Sequence, residues 1–450
     1  MVKDVTVEQL LAKAEQPSKD AMRLHPFYKG KIEVIPKCRI RDFNDFAIWY
    51  TPGVASPCRE IEKDKDKVYE LTNKGNFVAV VTDGSRVLGL GDIGPEAAMP
   101  VMEGKALLYK YLGGVDAFPI CLGTKDPDEI ISAVKWIQPT FGGVNLEDIS
   151  HPKCFYILDT LRKETEIPVW HDDQQGTACV TVAGLINAVK LVNKKLEDIK
   201  LALIGAGAAC IAIARLIVTA GVKPENIITV DSKGILHKDR EDREVLRSQF
   251  SEKWHLCETT NLKGVKGDIP DALEGADVMI SASKPGPGTI KKEWITRMAE
   301  NAIVFAEANP IPEIWPWEAK EAGAKIVATG RSDFPNQVNN SLGFPGIFRG
   351  ALDIRATHIT DEMCIVAAQE IAKVAEDNGI HEEYIVPNMD EWEVFPREAV
   401  AVGTKGIEQG VARIQAPADV RLKLAEDIIR KARQEVQTMM REKFIIDPDA

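Results

Sequence analysis

Apolar residues along this chain fall into two rhythms, short dense runs and longer stretches at helical spacing, and the two alternate over most of its length. Phe77 to Thr82 (F-V-A-V-V-T) is rich in β-branched residues, which predicts a buried strand. Asp83-Gly84 then turns the chain, and Arg86 to Leu90 is expected to return as a hairpin partner. Ala97 to Leu112 reads as a helix closed by Gly113-Gly114, Ala117 to Leu122 as a strand, and Asp128 to Ile137 as a helix. Thr140 to Leu146 returns in extended form. Pro168 to Trp170 is a further short strand, followed by a small-residue run, Ala178 to Ala188, that predicts a helix. Before all of these, residues 1–50 begin polar and helical and end at F-A-I-W-Y, closing on Tyr50 and a Thr-Pro-Gly turn.

Past residue 200 the alternation becomes regular. Leu201 to Ile204 is a strand, Gly205 to Cys210 a turn, Ile211 to Thr219 a helix and Ile227 to Asp231 a second strand. Later strands are expected at Val278–Ser281, Ile303–Ala306 and Ile326–Ala328, with a solvated helix and connector between His237 and Lys253. Strand and helix in alternation predict a parallel, doubly wound sheet. From Val420 to Phe444, residues Leu422, Ala425, Ile429, Ala432, Val436 and Met439 recur near helical spacing, so one face of a tail helix is buried, against this chain or a neighbour. At 450 residues the chain exceeds one ordinary core. The expected class is α/β: an N-terminal mixed α/β domain over 1–160, a Rossmann-like sheet domain over 161–415 and a helical tail over 416–450.

Composition narrows the function classes. The net charge of -12 argues against non-specific nucleic-acid binding, which needs a clustered basic surface. The 8 cysteines stand singly with no C-x-x-C pair, which fits reduced structural thiols rather than a disulfide framework or a zinc site. No run reaches the ~18 apolar residues of a membrane span, and the N-terminus lacks a signal-peptide core. The expectation is a soluble, cytoplasmic protein.

Two acidic pairs stand at predicted strand ends, Glu147-Asp148 and Asp172-Asp173. Adjacent carboxylates repel unless a cation or basic group sits between them. Downstream, Gly205-Ala206-Gly207-Ala208-Ala209 follows a strand and opens a helix, with Cys210 in place of a third glycine; in that context the signature predicts dinucleotide binding. Asp231 ends the next strand, where a carboxylate can hold a ribose hydroxyl. Asn309, Asn339 and Asn340 fall on or beyond the same sheet edge. Lys105 is a single charge in an apolar helical stretch, an environment that lowers a lysine's pKa and fits a base. Arg86 offers a fork for a carboxylate, and Tyr50 precedes the Thr-Pro-Gly turn.

Taken together, W-Y-T-P-G-V-A (49–55), T-D-G-S-R-V-L-G-L-G-D-I-G (82–94), the Lys105 helix, P-T-F-G-G-V-N-L-E-D (139–148), H-D-D-Q-Q-G-T-A (171–178), E-A-N-P and N-N-S-L-G-F-P-G (339–346) resemble the malic enzymes, in their short prokaryotic-type form. The resemblance runs from about residue 20 to about 415. It implies NAD(P)-dependent oxidative decarboxylation of L-malate to pyruvate and CO2 with Mg²⁺ or Mn²⁺. Residue by residue it implies Tyr50 as acid, Lys105 as base and Glu147, Asp148 and Asp173 as metal ligands, with Asp172 a catalytic partner beside them. It places Arg86, Asn309, Asn339 and Asn340 at the substrate. The cofactor set is Gly205, Ala206, Gly207, Ala208, Ala209, Asp231, Ser283 and Asn309. Gln175 stands where a histidine is expected, a departure that bears on the metal site.

Asp231 favours NAD slightly, since it repels a 2′-phosphate, although Lys233, Lys238 and Arg240 are near enough in sequence to offset it. A homo-oligomer, at least a dimer, is expected, with Tyr50 a candidate to complete a neighbour's site. Two rivals share parts of the pattern: a malolactic enzyme, which would release lactate from malate with bound NAD, and a non-catalytic NAD-binding sensor.

Overall fold

The computed structural model describes residues 7–449, and their side chains from residue 16; the first six residues of the polar N-terminal stretch lie outside it. Helix α1 (Val7–Tyr28) and the short α2 (Asn44–Trp49) precede the first sheet. That sheet has four parallel strands, β1 (Phe77–Thr82), β2 (Asp116–Cys121), β3 (Gly143–Leu146) and β4 (Val169–His171), in the order β2-β1-β3-β4. Its crossovers include α3 (Pro95–Gly113), which carries Lys105. The register sets Leu146 opposite His171, so Glu147 and Asp172 leave adjacent strands side by side.

Two expectations change here. Arg86 to Leu90 is not a hairpin strand, and only an isolated bridge joins Val87 to Gly91. Both edges of β1 are already taken by the parallel strands β2 and β3, so no ladder is open to a returning partner. The segment forms a loop instead, its first N–H donated by Arg86 to the Asp148 carbonyl at 2.9 Å. In addition, β4 lies beyond residue 160, so the first sheet draws its last strand from past the expected boundary.

Helix α4 (Asp172–Leu191) starts directly on β4 and runs, almost wholly buried, against the second sheet. A Cβ on its Gly184 would sit 3.2 Å from Phe305, so a small residue there permits close helix–sheet packing. The second sheet orders its strands β10-β9-β8-β5-β6-β7: β5 (Leu201–Ile204), β6 (Ile227–Asp231), β7 (Gly234–Ile235), β8 (Val278–Ser281), β9 (Ile303–Ala306) and β10 (Ile326–Thr329). All are parallel except the edge strand β7. Helix α5 (Ala208–Thr219) follows β5. The order reverses around β5, which makes the carboxyl end of that strand the crevice for a ligand.

The remaining chain is helical: α6 (Phe344–Asp353), α7 (Asp361–Asn378), α8 (Val394–Glu408) and α9 (Ala418–Arg441). The apolar face of α9 is spent on its own chain, since Ala425, Ile429 and Ala432 are buried and the helix packs on α3 and α8. No helix among the described residues is long and apolar enough to cross a membrane.

Candidate active site

The acidic pairs meet because both leave neighbouring strands at the same edge. Lys105, inside α3, reaches between them: its Nζ lies 2.6 Å from Asp172 Oδ2 and 3.1 Å from Glu147 Oε1, and 4.4 Å from the centre of the Phe344 ring. Burial works against its charge, but Asp172 and Glu147 outweigh burial, and the ammonium's pKa is raised. This overturns the expected lowering. The surroundings looked apolar along the helix, but the carboxylates arrive from elements 40 and more residues away.

The carboxylates are held in turn. Asp172 Oδ1 accepts from the indole of Trp170 at 3.1 Å. Asp173 Oδ2 accepts the Asp148 N–H at 2.8 Å and faces His171 Nε2 at 3.2 Å. His171 Nδ1 meets the side-chain amide of Gln174 at 2.8 Å, which fits a tautomer with the proton on Nε2, close to Asp173 but without an aligned hydrogen bond to it. Gln175 turns the other way and accepts the His171 N–H at 3.1 Å, so the departure noted in the sequence does not reach the carboxylates.

Glu147, Asp148 and Asp173 each present an oxygen within 4.8 Å of the others. Burial, then the neighbouring acids, push Glu147 far above the usual carboxylate range, while burial and Asp173 take Asp148 to about 8. Asp148 Oδ2 is buried without a hydrogen-bond partner. Four carboxylates around one ammonium leave negative charge uncompensated, and an orphaned oxygen faces it. A hard divalent cation fits this donor set, which has three oxygens and no sulfur.

At the second sheet, Gly205 adopts φ +118°, and a Cβ there would lie 2.8 Å from the Ala282 carbonyl, so the tight turn requires glycine. Gly207 precedes the first turn of α5, and Cys210 is buried behind it, filling the place of a third glycine. Asp231 is held by Arg240 Nη1 at 2.9 Å and lies 3.7 Å from Lys253 Nζ, while Lys233 pairs with Asp242. Lys238 is exposed.

Ser283 is fixed by a residue that the sequence reading missed. Glu313 Oε1 accepts from Ser281 Oγ (2.6 Å), the Ser283 N–H (2.8 Å) and Ser283 Oγ (3.1 Å), and its Oε2 accepts from the Ala308 N–H (3.1 Å). One buried carboxylate thus ties the loops after β8 and β9. An acid just past N-P-I-P was its only signal. Asn309 lies on the second of these loops, and a Cβ on Gly89 would sit 2.6 Å from its carbonyl, so the Arg86 loop of the first sheet closes over it.

The asparagines and the flanking residues divide. Asn339 caps a 3₁₀ turn through Ser341, 3.0 Å from its side chain. Asn340 stands against Gly176, next to Asp172. Arg86 is exposed, its Nη1 on the Leu88 carbonyl at 3.1 Å. Tyr50 is not brought to the cluster: it is 73% exposed at the end of α2.

The family model for the malic enzyme N-terminal domain matches residues 29–162, and that for the malic enzyme NAD-binding domain matches residues 174–405. The bifunctional malic/malolactic enzyme of Bacillus subtilis is 51% identical over 395 residues, 88% of this chain and 94% of that protein. The NAD-dependent malic enzyme of Geobacillus stearothermophilus is 52% identical over 384 residues, 85% of this chain and 78% of that one. Relatives at 42% identity are named NADP-dependent malic enzymes. The crystal structure of a malic enzyme from Entamoeba histolytica superposes with a TM-score of 0.96 at 50% identity, covering 99% of this chain and 93% of that one.

Proposed function

The chain belongs to the malic enzyme family, and from that premise we propose that it oxidises L-malate to pyruvate and CO2 while reducing NAD(P). The observation that carries this reading is the buried cluster of Lys105, Glu147, Asp148, Asp172 and Asp173, on the sheet whose Arg86 loop meets the Asn309 loop of the NAD-binding domain. In this reading Glu147, Asp148 and Asp173 hold Mg²⁺ or Mn²⁺, which supplies electrophilic stabilisation of the substrate's C2 oxygen when bound.

Lys105 handles the proton of the malate hydroxyl. Its ammonium is held up by Asp172 and Glu147; with Glu147 drawn to the metal, Lys105 passes its proton to Asp172 at 2.6 Å and, as the neutral amine, accepts the proton of the malate hydroxyl. Arg86 and Asn340 receive the substrate from the open side. Tyr50 protonates C3 of the enol left after CO2 departs. Its exposure supports delivery from a neighbouring subunit, with a dimer as the smallest closed assembly. Ser283 and Asn309, tied down by Glu313 and by the Arg86 loop, seat the nicotinamide half of the cofactor.

The lean toward NAD rests on Asp231. The same carboxylate anchors Arg240, which would meet a 2′-phosphate, so the preference is slight. The Bacillus subtilis relative's bifunctional name keeps malolactic turnover as a second reading. One assay decides among these: malate, Mn²⁺ and each of NAD and NADP, followed at the absorbance of the reduced nucleotide, with the product identified. Pyruvate with net reduced nucleotide supports the proposal. Lactate without it supports the malolactic reading, and no turnover leaves a binding module.

A further inference from the structure

Arg430, Arg433, Gln434 and Gln437 recur at helical spacing on α9, so their side chains share one face, beside the buried stripe of Ala425, Ile429 and Ala432. The stripe packs on the chain, while the polar face meets Trp392 in the loop just before α8. Between them lies a cavity of about 250 Å³, lined by Trp392, Arg430, Arg433, Gln434 and Gln437. Among the described residues, two guanidinium groups line it and no carboxylate does. A chain of net charge -12 thus carries a local site of the opposite sign.

The fold leaves both arginines free to take a ligand. Among the described residues Arg433 makes no hydrogen bond or ion pair, and its Nη1 is buried without a partner. Its guanidinium carbon stands 4.6 Å from the centre of the Tyr111 ring on α3. An aromatic face steadies a guanidinium but leaves the N–H groups in its plane unused. Arg430 stands 5.6 Å from the centre of the Trp392 ring, and the carboxylates of Asp427 and Glu426 approach it only to 3.6 and 3.9 Å, beyond hydrogen-bond reach. Native structures leave few buried N–H groups without an acceptor, because each one costs free energy. Two guanidinium forks on one cavity, with the amides of Gln434 and Gln437 beside them, match a group that offers several oxygens at once. We propose that the cavity is a binding site for a small oxyanion, a phosphate or a carboxylate, held between Arg430 and Arg433. It shares no residue with the carboxylate cluster or the dinucleotide crevice, so it stands whether or not the chain turns malate over. An anion there ties α9, through Arg433 and Tyr111, to the helix that carries Lys105.

Titration calorimetry on the full-length chain with Mg²⁺ and saturating NADH reads the site, because NADH fills the turn at Gly205 to Ala209 that phosphate would otherwise find. Inorganic phosphate and succinate are the two probes, each run against sodium chloride of equal ionic strength. The expected result is one site per chain with a Kd on the order of 1 mM for at least one probe. The tighter probe identifies the source of the oxyanion as a phosphate or a carboxylate. Arg433→Met removes one fork and should weaken that binding by about tenfold or more. The Arg430 side chain is 50% exposed, so Arg430→Met puts no burden on folding and should weaken binding by a similar factor. Bound anion should also raise the thermal midpoint of the wild type, by mass action, and leave that of both variants unmoved. No heat beyond the chloride control, up to roughly 20 times the expected Kd, overturns the proposal. Equal affinity in the wild type and both variants overturns it as well, by placing the anion at a site other than this cavity.

Discussion

Lys105 and Tyr50 are proposed to serve one substrate, yet the chain treats them in opposite ways. Lys105 is 8% exposed, clamped between two carboxylates and an aromatic ring. Tyr50 is 73% exposed in an arm whose Val34 and Phe43 are 80% and 90% exposed. The cluster is finished within one chain because strand register delivers its acids: Leu146 opposite His171 sets the next residues of β3 and β4 side by side, whatever else binds. The arm has no such ladder. Its apolar side chains stand in solvent, a state that marks an association surface more often than a free one. The polar half of the site is thus folded in advance, and in the proposed assembly a second copy covers the apolar arm. Each prediction below attacks one side of that contrast.

The largest effects belong to the cluster. Lys105→Ala should lower malate oxidation by at least the roughly 10²–10⁴-fold typical of a positioned acid–base group, and oxaloacetate reduction with it, because both need a proton moved at the C2 oxygen. Asp173→Asn, or wild type in excess chelator, should lose turnover while NAD(H) binding at Gly205 to Ala209, followed by fluorescence, survives. Near-normal turnover in either case would show that the three carboxylates do not hold an essential metal.

Tyr50→Phe should slow pyruvate formation by a similar 10²–10⁴-fold but spare oxaloacetate reduction, which needs no enol protonation. The decisive quantity is the ratio of the two rates, compared with that of Lys105→Ala. Mixing the two inactive variants tests where Tyr50 acts. If it serves the neighbour, each mixed dimer regains one complete site, and subunit exchange should restore up to about a quarter of wild-type activity. No recovery after verified exchange would place Tyr50 in its own chain's site and erase the contrast.

How much of this was legible beforehand follows the same division. The strands, the glycine turn and the buried helix after Asp173 could be read because each is a local pattern, and parallel pairing then follows from the helices between strands. The Arg86 hairpin failed because a turn signal is local, whereas the availability of a strand edge is decided by β2 and β3, residues away in sequence. Lys105 failed in a similar way: its position was right, but its pKa is set by acids on other elements. Glu313 was invisible because a single acid acquires meaning only from partners brought in by the fold. Roles for Tyr50 and Arg86 came from resemblance alone, since neither sits in a local pattern that demands chemistry.

A smaller effect should come from the support of the cluster. Gln174 fixes the His171 tautomer that faces Asp173. Gln174→Leu should weaken Mn²⁺ binding by about 10–100-fold, the usual loss when a residue behind a metal ligand is removed, with turnover recovering at high metal. An unchanged Mn²⁺ affinity by calorimetry would show that His171 does not depend on Gln174 for its orientation.

The mildest test falls on the arm. Phe43 is its most exposed large side chain, with the Phe46 ring beside it, 6.0 Å between centres. Within one chain, replacing it removes little packing, so Phe43→Ser should leave thermal unfolding of the cluster-bearing core almost unchanged. In a dimer that buries the arm, the same change removes an aromatic contact and leaves a hydroxyl in its place. Aromatic side chains at interface centres are among those whose truncation costs more than about 1 kcal/mol, so dimer dissociation should rise roughly fivefold or more. Sedimentation over a concentration series reads that shift. Activity at low enzyme concentration should fall with it, because a monomer would retain the Lys105 cluster but lack the neighbour's Tyr50. Added wild-type chain at the same total concentration should not restore the missing contact on the mutant arm. A Phe43→Ser protein that sediments and turns over as wild type would show that the arm is covered by something other than a second copy, and would separate exposure from assembly in this molecule.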